Sequence, residues 1–141
     1  MSVDINFWGV LLAAISSMVV GSIWYAKGVF GKHWAAMAKV KMDRKPKPGE
    51  MFKMLSLTFV ASLITAYVLA HVSWLAHQYF KDSFMHDTLS TAFWVWLGFT
   101  ACRLLVHDLF EGRPKELTLL NASHELVTFL VMGVVLGWLH P

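Results

Sequence analysis

The chain has 141 residues, of which 57% are hydrophobic and only 15% are charged. A soluble domain is typically about 45–50% apolar and about 25% charged, and a domain this small buries only a limited share of its surface. The composition therefore excludes an ordinary soluble domain and predicts an integral membrane protein. The net charge of +3 needs no nucleic-acid partner, because the basic residues have a topological explanation. A single cysteine, Cys102, excludes an intrachain disulfide.

The first uncharged run extends from Ile5 to Ala26 and has 22 residues. An α-helix of that length measures about 33 Å, which is enough to cross a hydrocarbon core of about 30 Å. A cleaved signal peptide would need a basic start and a shorter apolar stretch. Here the first basic residue is Lys27. The sequence therefore predicts a retained transmembrane helix over about 5–26.

A basic loop over 27–53 follows, with eight of the twelve Lys and Arg residues of the chain. Its centre, 44–49, contains two prolines and cannot continue a helix. Before that centre, Phe30, Trp34 and Met37 recur at helical spacing. The pattern fits a short amphipathic helix on the membrane surface or a plain solvated loop, and it does not decide between them.

Three further segments complete the helical pattern. The second helix is predicted over about 54–79, inside an uncharged run that exceeds one crossing and so must tilt or emerge. The third is predicted over about 88–110, since its fifteen uncharged residues alone do not span a bilayer. The fourth is predicted over about 117–139. We therefore expect one all-α domain, 1–141, folded as a compact bundle of four transmembrane helices.

The distribution of Lys and Arg predicts the orientation. The loops after the first and third helices, with the end of the third, hold eleven of the twelve basic residues. The link after the second helix holds only Lys81. Because basic loops stay on the cytoplasmic side, we expect both termini outside. The predicted location is the bacterial inner membrane, crossed several times.

Small residues recur every four positions in the predicted helices. Such stripes let helix backbones approach closely in lipid, where burial of apolar surface gives no net gain. They indicate packing inside the bundle or, alternatively, a contact between copies in an oligomer. The stripes in the first and fourth helices consist of Gly9, Ala13, Ser17, Gly21, Gly133 and Gly137.

Ionisable residues cluster in the predicted hairpin of the third and fourth helices. If the hairpin turns near Pro114, Arg103 is level with Glu125, and His107 is level with Asn121. An unpaired charge in a membrane helix costs about 2.5–3.5 kcal/mol on insertion scales. We therefore expect an Arg103–Glu125 ion pair. The whole cluster comprises Arg103, His107, Asp108, Glu111, Asn121, His124 and Glu125.

This cluster has two main interpretations. One is a structural polar clasp between the third and fourth helices. The other is a proton, ion or substrate site that opens to the cytoplasm. A metal site built from His107, Glu111 and His124 is a weaker third possibility. No sequence motif indicates a catalytic residue or an organic cofactor.

Several stretches resemble a bacterial membrane family catalogued as a domain of unknown function, number seventeen sixty-one. They are Gly21-Ser22-Ile23-Trp24-Tyr25, Phe30-Gly31-Lys32-x-Trp34, Leu109-Phe110-Glu111-Gly112-Arg113-Pro114, and Asn121 with His124. The resemblance implies four transmembrane helices and no established activity. In this context Trp24, Tyr25 and Trp34 are expected to anchor the chain at the membrane interface or to wall a pocket.

The leading hypothesis is a non-catalytic accessory or scaffold protein of the membrane. Its expected partners are lipid and a second copy of the chain. The first alternative is a small transporter or channel with a site at Arg103, His107 and Glu125. The second alternative is a membrane enzyme or a metal-binding protein.

Overall fold

A computed structural model describes residues 3–43 and 46–141. Within those ranges the regular structure is helical, and four stretches are long and apolar enough to cross a membrane. The predicted four-helix membrane fold is therefore confirmed. The elements are α1 (Phe7–Trp24), α2 (Gly31–Met37), α3 (Pro48–Phe80), α4 (Phe84–Val95), a π-helix (Trp96–Ala101), α5 (Cys102–Glu111) and α6 (Lys115–Trp138).

The first span, α1, begins at a polar cap and ends before the basic loop. The side chain of Asn6 accepts hydrogen bonds from the backbone N–H groups of Trp8 and Gly9. These bonds satisfy two of the donors that a helix leaves free in its first turn. After α1 the chain turns into α2, where Gly31 lies against the carbonyl of Tyr25. Of the two alternatives for this segment, the helix is present; Arg44 and Lys45 lie outside the described residues.

The second span, α3, is 33 residues long, which corresponds to about 50 Å. It begins six residues before the predicted start, because Pro48 suits a first helical turn and Glu50 accepts a hydrogen bond from the N–H of Lys47. It ends at Phe80, and the next residue, Lys81, has a left-handed backbone with φ 58°. Its buried residues all lie in its second half, from Ala66 to Ser73. The first half therefore extends along the bundle with most of its side chains exposed.

The third span is interrupted, which the sequence did not predict. It runs from Phe84 to Glu111, but Trp96–Ala101 forms a π-helix between α4 and α5. A π-turn accommodates an additional residue in the helix and changes the direction in which later side chains point. As a result, α4 and α5 belong to one span but present unrelated faces to the bundle.

The four spans surround a single apolar core. Both α1 and α4 pack against α3 and α6, so α1 and α4 lie at opposite corners of the bundle. Gly9, near the start of α1, contacts Leu139, just after α6, and both termini therefore lie at the same end. That this end faces outward remains a prediction from charge. The core consists of Val10, Ala13, Ala14, Ala66, Leu69, Ala70, Ala92, Phe129, Met132 and Leu136.

The small-residue stripes pack inside the bundle. A Cβ atom on Gly9 would lie 3.2 Å from the carbonyl oxygen of Leu139, and one on Gly133 would lie 3.3 Å from Cβ of Ala92. At Gly137 it would approach within 3.0 Å of the backbone Cα of Met85. Ala13 and Ser17 are buried as well. These glycines therefore bring α6 close to α1 and α4, as the intramolecular interpretation predicts.

Candidate functional site

Three aromatic rings and His124 meet where α1 ends beside α6. The His124 ring lies 4.8 Å from the Tyr25 ring and 5.9 Å from the Trp24 ring, measured between centroids. The ring of Trp34, in α2, stacks edge-on against Tyr25 at 5.3 Å. Gly21 makes room for the histidine, because a Cβ atom there would lie 3.6 Å from its Nε2. Trp24, Tyr25 and Trp34 thus form an aromatic wall over one face of α6.

Hydrogen bonds connect this wall to α6. The hydroxyl of Tyr25 donates to Oδ1 of Asn121 across 3.1 Å. Burial, together with the nearby carboxylate of Glu125, raises the pKa of Tyr25 from 10.0 to about 12. The phenol therefore stays protonated over the physiological pH range and remains a hydrogen-bond donor.

Two buried nitrogens in this region have no hydrogen-bond partner within the described part of the chain. They are Nε1 of Trp24 and Nδ1 of His124. The second lies 3.3 Å from Oε1 of Glu125, close enough for an ion pair if the ring is protonated, although the geometry is not that of a hydrogen bond. Buried polar groups usually have a hydrogen-bond partner. These two nitrogens therefore indicate a position where a bound polar group can be hydrogen-bonded.

The structure does not bring Arg103 and Glu125 together in the predicted ion pair. Both residues are described, yet no ion pair within 4.0 Å joins them, and Arg103 is exposed. The levels of the two residues along the hairpin follow from the helix rise, but the rotation of α5 about its axis does not follow from the sequence. The face of α5 directed at α6 contains Leu104 and the buried Asp108, whereas Arg103 and His107 lie on an exposed face.

A different polar contact joins α5 to α6. The hydroxyl of Thr118 donates to Oδ2 of the buried Asp108 across 2.6 Å. Arg113, in the turn, has its Nε 3.8 Å from Oδ1 of the same carboxylate, and it also forms an ion pair with Glu111. Of the predicted cluster, Asp108 and Glu111 thus have partners near the turn. Asn121 and His124, both in α6, contact the aromatic wall.

The proposed metal ligands do not come together. His107 and Glu111 are exposed on α5, and His124 is enclosed between α1 and α6. Among residues 3–43 and 46–141, a group with metal-ligand spacing forms elsewhere, from Asp82, His86 and Asp87.

The end of the bundle that holds the termini contains polar residues that the sequence analysis did not single out. Nδ1 of His77, in α3, is hydrogen-bonded to Oδ2 of Asp87, in α4, at 2.8 Å, and Asp87 is only 3% exposed. A cavity of about 830 Å³ lies beside them. Its lining includes Asp4, Asn6, Trp74, His77, Gln78, Phe84 and His140.

One signal could have located this second site. An acidic residue in the first turn of a helix commonly caps it or interacts with its dipole, so Asp87 was unremarkable by position alone. However, Asp82, His86 and Asp87 follow the end of the second span within seven residues, with His77 about one turn before that end. Potential metal ligands at such spacing in a short connection indicate a site.

Comparison with known proteins gives one match. A family model described as "Protein of unknown function (DUF1761)" matches residues 8–137. No curated protein and no solved structure matches the chain.

Proposed function

The chain belongs to the DUF1761 family of proteins of unknown function, and from this premise we propose its function from its own geometry. We propose a non-catalytic accessory protein of the bacterial inner membrane that docks a second membrane protein through the outer face of α5. That face is defined by Arg103 and His107. Four apolar spans support the membrane location.

The observation that carries this proposal is the outward direction of Arg103 and His107. Both side chains are exposed in the third span, and no ion pair or hydrogen bond to either is formed within residues 3–43 and 46–141. A charged group at membrane depth is costly unless it is paired or reaches the interface. A partner helix with a carboxylate level with Arg103 would relieve that cost and fix its own register.

A second copy of this chain is a poor occupant of the same face. Copies inserted with the same orientation would pair parallel helices, and a twofold axis would place Arg103 beside Arg103. Like charges at one depth repel each other. The small-residue stripes that could join copies are also used inside the bundle. We therefore assign the α5 face to a different membrane protein that contributes a carboxylate, and any homo-oligomer to another surface.

In this proposal the contact between Asp108 and Thr118 is the polar clasp. It holds the inner face of α5 against α6 at a buried position. Since that contact fixes the rotation of α5, it also presents Arg103 and His107 outward. Asp108 is thus a positioning residue for the docking face.

Site-specific photocrosslinking in intact cells tests this function. A photoreactive phenylalanine analogue replaces His107, and a matched control places it at Leu105, which is 48% exposed on a different side of α5. We expect one discrete heterologous adduct from position 107, none from 105, and loss of the adduct in Arg103→Ala. Arg103→Glu should be rescued by the reciprocal acid-to-Arg change in the crosslinked partner.

Several outcomes would contradict the proposal. They are an adduct with the mass of two copies, adducts to lipid alone, equal labelling at 107 and 105, or labelling that Arg103→Ala does not change. Because Arg103 has no partner among the described residues and a charge at membrane depth is costly, Arg103→Ala should not lower the free energy of unfolding by more than about 0.5 kcal/mol. A larger loss of stability in a thermal melt would mean that Arg103→Ala disturbs the fold, so that its loss of crosslinking could not be attributed to docking.

The alternative function, a small transporter or channel, is favoured by a separate observation. Within the described part of the chain, the unpartnered Nδ1 of His124 lies 3.3 Å from Oε1 of Glu125, and the ring of Trp24, whose Nε1 is also unpartnered, lies 5.9 Å from the His124 ring. Such a group of intramembrane polar atoms is suited to a proton or small polar solute. Glu125→Gln should abolish proton flux into vesicles under an imposed potential, with Glu111→Gln as the exposed control. Equal flux in wild type, both variants and empty vesicles would eliminate this function.

A further inference from the structure

The connection between α3 and α4 brings three potential metal ligands together. Nδ1 of His86 lies 3.6 Å from Oδ2 of Asp82 and 3.8 Å from Oδ1 of Asp87. One ligand atom from each residue lies within 4.8 Å of the others. In a tetrahedral zinc site with bonds of about 2.0–2.1 Å, neighbouring ligand atoms are about 3.4 Å apart. The two distances from His86, 3.6 and 3.8 Å, need to contract only slightly to reach that value.

Local structure holds these residues in place. The helix α3 ends at Phe80. The next residue, Lys81, has a left-handed backbone, which turns the chain toward α4. The side chain of Ser83 then caps α4 by accepting a hydrogen bond from the N–H of His86. His86 and Asp87 therefore lie in a rigid first helical turn, with Asp82 one turn before His86.

Asp87 is oriented by a second histidine. Its Oδ2 is hydrogen-bonded to Nδ1 of His77 at 2.8 Å, while its Oδ1 is the atom near His86. The Asp87 side chain is only 2% exposed, compared with 64% for Asp82 and 69% for His86. Metal ligands are commonly held in place by a hydrogen bond from outside the ligand set, as Asp87 is by His77. Asp82 and His86 are exposed and can close over an ion.

The gap between these atoms is suited to a cation. At 3.6 and 3.8 Å, the His86 nitrogen is too far from either carboxylate for a hydrogen bond. If that nitrogen is unprotonated, its lone pair faces two negatively charged groups. A divalent ion between them would accept all three lone pairs and compensate both charges.

We propose that Asp82, His86 and Asp87 bind a divalent transition-metal ion, with zinc as the best match, at the end of the bundle that holds the termini. One imidazole with two carboxylates is a donor set that Zn²⁺ accepts, and three protein ligands leave a position for water or another exchangeable ligand. The imidazole makes Mg²⁺ and Ca²⁺ poorer candidates, because these ions select oxygen. This inference is independent of the docking function of α5.

Zinc titration of the full chain in detergent tests the site. The protein is purified without a histidine tag, and binding is measured by calorimetry and by metal analysis after equilibrium dialysis. We expect one Zn²⁺ per chain in the wild type. Asp82→Asn and His86→Gln should each weaken zinc affinity at least tenfold, and both residues are exposed, so the fold should survive. His33→Gln is the matched control, because it removes an exposed histidine from α2.

The geometry is tested by Co²⁺ substitution. The visible spectrum of bound Co²⁺ reports its ligand set, and it should change in His86→Gln but not in His33→Gln. His77 is a positioning residue, so His77→Ala should weaken zinc binding by about 10–100-fold. His77→Gln retains an N–H donor and should recover part of that loss. A merely structural role for His77 would leave the Co²⁺ spectrum unchanged.

Three results would overturn the inference. The first is no stoichiometric zinc in the wild type, in which case His86 pairs with Asp82 and Asp87 as an ordinary protonated side chain. The second is undiminished binding in both Asp82→Asn and His86→Gln. The third is an equal loss in His33→Gln, which would indicate adventitious binding to surface histidines.

Discussion

The two halves of the third span differ in how far they are buried in the bundle. In α4, Asp87, Thr88, Thr91 and Ala92 are all buried against α3 and α6. In α5, Asp108 alone is buried among the described residues, and most of the helix is exposed. One continuous span therefore contains one half that packs into the bundle and one half whose surface is available for contacts with another molecule.

The π-helix marks the change from one half to the other. Its first residue, Trp96, donates from its indole N–H to the carbonyl of Ala122 in α6 across 2.9 Å. Beyond this contact the span packs only loosely on α6, until Asp108 reaches Thr118 near the turn. The π-turn therefore lies between two polar contacts and determines which side of α5 faces α6.

Deletion of Gly98 should have the largest effect, because it would convert the π-turn into regular α-helix. One residue fewer rotates α5 by about 100°, which moves Asp108 away from Thr118. Loss of a buried hydrogen bond to a charged group, with its associated packing, should lower the free energy of unfolding by about 3 kcal/mol. Unfolding in detergent with increasing denaturant measures the loss.

The length-preserving variant Gly98→Ala is the control for that deletion. A Cβ atom at Gly98 would meet nothing within 4 Å, so stability should change by less than about 1 kcal/mol. If the deletion were equally mild, the π-turn would have no part in orienting α5.

Gly137→Ala should produce the next largest loss, since it tests the packed half. The new Cβ atom would lie 2.7 Å from Sδ and 3.0 Å from Cα of Met85, and a backbone atom cannot move aside easily. Overpacking of this kind typically costs about 1–3 kcal/mol. The same glycine-to-alanine change at Gly98 again serves as the matched control in thermal melts. Equal melting temperatures for the two variants would contradict the assigned α4–α6 contact.

Trp96→Phe should have a smaller effect, confined to the boundary between the halves. It removes the indole donor to Ala122 but keeps an aromatic ring, so the expected loss is about 1 kcal/mol. Trp94→Phe is the control, because Trp94 is 64% exposed two residues earlier. The difference between the unfolding free energies of the two variants measures how much the Trp96–Ala122 hydrogen bond contributes to stability. A difference of zero would show that it contributes nothing.

The smallest expected effect is the pH dependence of Tyr25, which anchors the segment after α1 to α6. Below pH 10 the phenol is protonated in both folded and unfolded chains, so it adds no pH dependence. Between pH 10 and about 12 the unfolded chain loses this proton and the folded chain keeps it, so stability falls as pH rises. Melts from pH 9 upward should show this fall reduced in Tyr25→Phe but not in the control Tyr79→Phe, whose side chain is exposed. Identical slopes in the two variants would disprove it.

Part of the α6 site follows from the sequence. The aromatic residues at the exit of the first span were expected as interface anchors or as a pocket wall, and Trp24 and Tyr25 lie against His124. The relative depth of Arg103 and Glu125 could be calculated from the helix rise, but their separation in rotation could not. The spacing of His77, Asp82, His86 and Asp87 marks their shared connection in the sequence, but which of these side chains pair across the two spans depends on packing.

Hydropathy and charge along the chain were enough to predict a membrane protein, its four spans and the position of its basic loops. These properties depend on the length and composition of local segments, which hydropathy and charge report directly. The tertiary structure alone decided which face of each helix turns inward. That choice depends on one π-turn and on close contacts at Gly133 and Gly137. Rotation about a helix axis changes side-chain partners without changing segment composition, so only packing between helices can specify it.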